Sequence, residues 1–493
     1  MAIATKTSLV LLFLTFSLFA FLFWPQKHST WERSFARIGT FSSPRTADLN
    51  GDGIRDIVLG AGANEFEASD TAVLALDGAS GAVLWAVDGT DQIFSTPVFL
   101  DIDQNTAPDV VMSGRSGQLI AIDGASGQVR WDFKRDQQPN FPLYNIYTPA
   151  LVPDQNADQV PDLVLAQGGD VSKRPNDPNR PPGMLMVVSG KDGILLAYDT
   201  MPDGRETYMS PVIFEQAGEP QLLFGSGGET MGGNLYQIPL RALINSDLSV
   251  AKVLASDSSQ GFIASPLRHD LNADGTPDIL VNSVAGRVIA LDGATHRVLW
   301  EAGIDNAEVY TSPTVGYFNA DAVPDVFVNF GIGIWPDQVQ CLQMAFSGTN
   351  GSVIFEDSLS FFSMSSPVTI DLDGDQRDEV LLSVNFGIER TLAGSTISNE
   401  VHNKLVAINF ATGKQLRLDM NLPGPNLALT PHLDDLDANG QVDLIYAHHT
   451  DAHRIGQSNG LRIIRKELDI PISRIGLASA KRVGDEGTTR RVD

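Results

Sequence analysis

Cysteine is all but missing: the 493-residue chain carries only Cys341. One thiol cannot build an intrachain disulfide, a thiolate zinc cluster or a Cys-x-x-Cys redox pair. Positive charge is also scarce, with 34 Lys and Arg against 60 Asp and Glu, a formal charge of −26. That imbalance excludes the electrostatic footprint of a nucleic-acid-binding protein and asks for bound or solvent cations. No Gly-x-Ser-x-Gly elbow, P-loop or His-Glu-x-x-His is present, so the familiar signatures of hydrolases, nucleotide-binding enzymes and zinc proteases are absent. Hydrophobic residues make up 43% of the chain, enough for a large core, and 45 glycines with 27 prolines favour a turn-rich β-protein over a helical bundle.

The first thirty residues stand apart. Ser8 to Trp24 is uncharged and mostly Leu and Phe, near the lower limit for a spanning helix and slightly longer than the usual signal-peptide core. No A-x-A-like cleavage site follows it. The expectation is an uncleaved N-terminal helix (residues 1–30) that anchors an exported, periplasmic or extracellular domain; cleavage would make the protein secreted. The flanking Lys6, Lys27, Arg33 and Arg37 do not settle orientation.

The remainder is a repeat. Its clearest element is an acidic loop with oxygen-bearing side chains at positions 1, 3, 5 and 9, followed by an apolar run. The copies are Asp48, Asn50, Asp52, Asp56; Asp101, Asp103, Asn105, Asp109; and Asp154, Asn156, Asp158, Asp162. They continue as Asp270, Asn272, Asp274, Asp278; Asp371, Asp373, Asp375, Glu379; and Asp435, Asp437, Asn439, Asp443. A seventh copy (Asn319, Asp321, Asp325) has Tyr317 at position 1, and an eighth, near Glu215, has lost the pattern. Each copy, degenerate ones included, follows a Ser/Thr-Pro pair, from Ser43-Pro44 to Thr430-Pro431, with a period of about 55 residues. A third marker lies between loops: an apolar strand, an Asp-Gly turn and a Trp-bearing strand, as in Val73 to Trp85, Leu119 to Trp131 and Val288 to Trp300.

One repeat is therefore four short strands, the arithmetic of a β-propeller. The expected fold is all-β, eight four-stranded blades over residues 31–472, with a polar, disordered tail from 473 to 493. Trp31 precedes its Ser-Pro pair by the spacing of Trp300, so residues 31–40 are expected to complete the last blade and close the ring.

The loop chemistry suits calcium. Hard oxygens at 1, 3, 5 and 9, with a backbone carbonyl at position 7 (Ile54, Ala107, Val160, Thr276, Arg377, Gln441), match its flexible six-to-eight coordination. Glycine follows position 5 in three of the six complete loops. The loop is not an EF-hand, because no glutamate stands at position 12 and strands flank it. Two carboxylates about 4 Å apart at an effective dielectric near 20 repel by about 4 kcal/mol, so empty loops would be unfavourable. Six structural ions would move the formal charge from −26 to −14.

These residues resemble two related propeller families. Asp48 to Gly60 looks like the FG-GAP repeat of integrin α-chain propellers and their bacterial relatives. Ala75 to Trp85 resembles the tryptophan-bearing repeat of quinoprotein (PQQ-like) dehydrogenases and outer-membrane assembly propellers. The resemblance covers nearly the whole chain after residue 30 and implies the propeller fold and calcium loops. It does not carry an active site over, since the quinoproteins use an adjacent cysteine pair that this chain lacks. The tryptophans are read as blade-to-blade packing.

No catalytic residue or organic cofactor is assigned. His448, His449 and His453 fall in the last repeat, with His432 nearby in sequence, and are read as a polar insertion between strands of blade 8 rather than a metal cluster. Ser172 to Pro182, Gly331 to Pro336 and Phe386 to Val401 interrupt repeats and offer binding loops. The expected function is a membrane-tethered, calcium-stabilised, non-enzymatic binding or scaffold module, taking a protein or glycan ligand on inter-blade loops. The alternative is an enzyme on the same scaffold, such as a polysaccharide lyase or quinone-dependent oxidoreductase.

Overall fold

Each sequence marker holds a fixed place in one antiparallel sheet. The computed structural model describes residues 30–477, apart from 171, 175–176, 178, 335–336, 339, 362, 393–394, 419–421 and 452–458. In blade 1 the Ser-Pro pair leads into an inner strand, Arg45–Ala47, and the acidic loop joins it to Asp56–Gly60. The third strand, Ser69–Leu76, turns at Asp77-Gly78 into the outer strand, Val83–Gly89. Seven more sheets repeat this order, with inner strands at Val98–Leu100, Ala150–Val152, Val212–Gln216, Leu267–His269, Thr314–Gly316, Val368–Ile370 and His432–Asp434. The architecture is an eight-bladed, all-β propeller, as the repeat count predicts.

The second strands are buried on both faces, which explains their unbroken apolar runs such as Ile57-Val58-Leu59. The core is accordingly distributed around the ring, as eight hydrophobic clusters, one at each blade-to-blade interface. Val111, Leu119 and Trp131 of blade 2, for example, pack on Leu163, Leu165 and Val188 of blade 3.

Tryptophans hook neighbouring blades together. Trp85 donates its indole N–H to the turn carbonyl of Gly124 in the next blade (2.7 Å), Trp131 to Gly190 (3.1 Å) and Trp300 to Gly348 (2.7 Å). Opposite each stands an alanine on the adjacent strand, Ala75, Ala121 or Ala290, leaving room for the indole. The ring closes as expected: Trp31–Ala36 is the outer strand of blade 8, with Trp31 opposite Arg465 and Ala36 opposite Gly460.

Blade 4 departs from both markers for local reasons. Its first two strands meet at a two-residue turn, Ala217-Gly218, with both residues at positive φ (53° and 78°), so no acidic loop remains. Its third and fourth strands are joined through a short helix, Leu240–Ile244, in place of an Asp-Gly turn.

The expected N-terminal helix lies outside the described residues; among those described, no helix is long and apolar enough to cross a membrane. At the other end, residues up to 477 pack on blade 7, where Gly476 donates its N–H to the Thr369 carbonyl and Asp371 donates to that of Arg474.

Candidate functional site

The alternating strands sort the loops onto two faces. The acidic loops and the Asp-Gly turns share one face; the loops between second and third strands and the blade-to-blade connections share the other.

On the acidic face the six complete loops adopt one backbone. The position 1 carboxylate accepts the N–H of position 6 in every copy: Asp48 from Gly53, Asp101 from Thr106, Asp154 from Gln159, Asp270 from Gly275, Asp371 from Gln376 and Asp435 from Gly440. All six position 6 residues have positive φ, between 72° and 85°, including Thr106, Gln159 and Gln376 where glycine is absent. The position 5 oxygen accepts the N–H of position 7, linking Asp52 to Ile54, Asn105 to Ala107, Asp158 to Val160, Asp274 to Thr276, Asp375 to Arg377 and Asn439 to Gln441. Side-chain oxygens of Asp371, Asp373 and Asp375 lie within 4.8 Å of one another, as do those of Asp101, Asp103 and Asp109, and of Asp435, Asp437 and Asp443. Clustered hard oxygens are the donor type that calcium takes.

Position 9 also has a structural job that the spacing did not reveal. Asp56 accepts N–H bonds from Leu49 in its own loop and from Gly78 in the hairpin turn, both at 2.9 Å. Asp109, Asp162 and Asp278 do the same with Ile102 and Gly124, Gln155 and Gly190, and Leu271 and Gly293. The buried carboxylate thus clamps loop to turn within a blade. Burial raises the pKa of Asp56, Asp109, Asp162, Asp278 and Asp443, and pushes Glu379 up to about 7 and Asp325 up to about 6.

In two blades a strand brings a guanidinium onto the loop carboxylates. Arg130 donates from Nε to Asp109 (2.8 Å) and from Nη2 to Asp103 and Asp123 (both 2.6 Å). Arg465 donates to Asp443 from Nε and Nη2 (both 2.9 Å) and to Asp437 from Nη2 (3.2 Å).

The histidines of the last repeat do not converge. His432 lies by the inner strand, hydrogen-bonded with Thr46 (3.2 Å) and beside Asp434. His448 and His449 are not an insertion between strands but the buried far end of the second strand, Gln441–His449, and their rings donate to different carbonyls: His448 Nδ1 to that of His449 (2.8 Å) and His449 Nε2 to that of Thr40 (2.9 Å). His453 lies outside the described residues. Cys341 is buried, its thiol pushed up to about 12 by desolvation, which makes it a poor nucleophile.

The opposite face gathers the inserts, and with them a cluster that the sequence reading missed. Buried Glu206 pairs with Arg180 of the proline-rich insert (2.5 Å) and accepts from Tyr208 (2.8 Å), while Arg180 also donates to Tyr208 (3.0 Å). Two blades further on, buried Glu308 accepts from Tyr310 (2.9 Å), Gln260 (2.8 Å) and Gln338 (3.3 Å). Burial, then repulsion from Glu308, raises the pKa of Glu229. The available signal was the repeated Glu-x-Tyr-x-Ser-Pro of Glu206 to Pro211 and Glu308 to Pro313. The long hairpin of blade 7, Glu379–Leu392 and Ser395–Asn409, rises from this face too.

A family model described as the FAM234A/B beta-propeller matches residues 31–377. Among curated proteins, the chain is 26% identical to bovine Protein FAM234A over 68% of this chain and 61% of that protein. It is 24% identical to mouse Protein FAM234B over 76% of this chain and 61% of that protein. The aligned region therefore spans about 61% of the length of these relatives. Among solved structures, Saccharomyces cerevisiae Sqt1 superposes with a TM-score of 0.53 at 10% identity, covering 90% of this chain and all of that one. Quinohemoprotein alcohol dehydrogenase from Comamonas testosteroni superposes at 0.52 with 12% identity, covering 93% and 78%. At such identities the likeness is one of fold.

Proposed function

We propose that this chain, which belongs to the FAM234A/B β-propeller family, is a non-enzymatic binding or scaffold module held at a membrane by residues 1–30, with its propeller outside the cytoplasm and its acidic loops stabilised by calcium. The observation that carries the reading is the segregation of the two faces. The regular acidic loops lie on one face, while Arg180, Phe66 and the blade 7 hairpin lie on the other. Binding surfaces on rigid scaffolds are built from such irregular loops.

The chain's entry point agrees with this arrangement. Trp31 bonds to the Gly78 turn, so the described chain enters the propeller at the acidic face. An anchor there turns the insert face away from the membrane, towards a protein or glycan ligand.

The test is affinity capture on the intact protein, comparing the wild type with a variant whose 387–400 hairpin is replaced by a two-residue turn. Partners retained by the wild type and lost by the variant, at equal melting temperature, support the reading. Identical partner sets, or turnover of a sugar or alcohol substrate by the purified chain, refute it.

A further inference from the structure

The blades that keep the acidic loop form an internal series in which one position can be compared from copy to copy. In blade 1 the position 3 amide of Asn50 reaches both Asp56 (3.4 Å) and the turn residue Asp77 (3.3 Å). Asn272 reaches Asp292 in blade 5 at 3.0 Å. In blade 7 the roles are exchanged: position 3 is Asp373 and the turn residue is Asn409, whose amide donates to Asp373 (3.0 Å) and Glu379 (2.7 Å). In each of these blades an uncharged amide lies between the loop and the turn.

Blade 2 has no amide there. Position 3, position 9 and the turn residue are all aspartates, Asp103, Asp109 and Asp123, and the Arg130 guanidinium bonds to all three. In blade 8, Asp437 and Asp443 face the guanidinium of Arg465, which is wholly buried. Arg465 occupies the place of the alanine opposite the hooking tryptophan, facing Trp31 as Ala75 faces Trp85. Its Nη1 also donates to the Gly78 carbonyl of blade 1 at 2.8 Å.

We infer that in blades 2 and 8 the chain supplies a guanidinium in place of the ion, so that only the loops at Asp48, Asp154, Asp270 and Asp371 take calcium. The inference rests on the calcium reading for those four loops. An ion held at 2.3–2.6 Å by the carboxylates of Asp103 and Asp109, or of Asp437 and Asp443, would set a second positive charge against the guanidinium that already bonds to them. The planar fork satisfies two or three carboxylates with directed hydrogen bonds and needs no bound metal.

The experiment uses the whole protein and calcium itself, with metal analysis and thermal melts in chelator and in millimolar calcium. Arg130 is the residue to change because it is partly exposed, whereas Arg465 is not. Asp101→Asn should leave the ion count of the wild type unchanged, whereas Asp48→Asn should lower it by one. Arg130→Gln should raise the count by one and make the melt more responsive to calcium. Loss of an ion in Asp101→Asn, or no gain in Arg130→Gln when the wild type holds calcium, overturns the inference. If the wild type holds no calcium at all, the calcium reading fails separately. The guanidinium is then tested in chelator: Arg130→Gln should lower the melting temperature in the wild type but much less in an Asp103→Asn, Asp123→Asn background. Equal losses in both backgrounds overturn it.

Discussion

The indole N–H of Trp31 donates to the carbonyl of Gly78 at 2.9 Å, the bond that Trp85 makes to Gly124 between two consecutive blades. The seam where the ends of the ring meet is therefore built with the same hook as the interior joints. Arg465 donates to the same carbonyl, so this joint carries two donors.

Removing the hook should open the seam. Trp31→Ala should cost about 3–5 kcal/mol in denaturant unfolding, the usual range for a buried tryptophan truncated to alanine. Trp31→Phe keeps most of the buried ring and loses the hydrogen bond, for about 1 kcal/mol. A Trp31→Ala protein that unfolds at the wild-type midpoint would show that the first strand does not close the ring.

The turn glycines under the tryptophans should be sensitive for a reason that positive φ alone does not supply. Gly127 has φ +74°, and a Cβ there would sit 2.6 Å from the Trp85 side chain. Gly413, at the corresponding turn of blade 7, has φ +63° and nothing within 4 Å. Alanine at either site carries the left-handed backbone cost of about 1–2 kcal/mol. Gly127→Ala adds a steric term of about 1–3 kcal/mol. Equal losses of stability in the two variants would refute the indole contact.

Calcium should protect the fold. An ion that binds only the folded state adds about 2.7 kcal/mol per site at a hundredfold excess over Kd. Chelation should therefore lower the melting temperature, and Asp52→Ala should reproduce part of that loss. The loop at Tyr317 lacks the first carboxylate and should contribute nothing, and blade 4 has no loop to fill. Superimposable melts in EGTA and in millimolar calcium, with no calcium in the purified protein, would reduce the loops to turns.

Mild acid should weaken the last blade through His448. Desolvation lowers its pKa from the ordinary 6.5 to about 4. A depressed histidine adds stability above its unfolded pKa and loses it as pH falls from about 6.5 towards 4, worth up to about 3 kcal/mol. In chelator, wild type should lose more stability between pH 7 and pH 5 than His448→Gln does. Parallel pH profiles would show that His448 is not a buried neutral imidazole.

The fold was legible because the repeat reports its own strands. The Ser/Thr-Pro pairs mark the inner strands, and the apolar run after each loop marks a strand buried between blades. Position 9 was harder to read, because spacing cannot distinguish a carboxylate facing an ion from one that bonds to Leu49 and Gly78 across a turn. Arg130 and Arg465 were invisible for a similar reason: they lie 27 and 28 residues from Asp103 and Asp437, and only sheet pairing brings them together. Glu206 meets Arg180, and Glu308 meets Gln338 30 residues on, between loops that the fold and not the spacing brings together.

The closing strand also sets the order of assembly. Blades 1 to 7 are each made from one continuous stretch of chain and can form locally as it emerges. Pairing of Trp31–Ala36 with residues 460–465 must wait until nearly the whole propeller exists. Contacts of such high sequence separation form slowly. Throughout that interval the chain carries two complementary unpaired strand edges. Two chains held side by side can exchange them, each completing the other's last blade, so folding at high concentration should favour strand-swapped dimers over monomers.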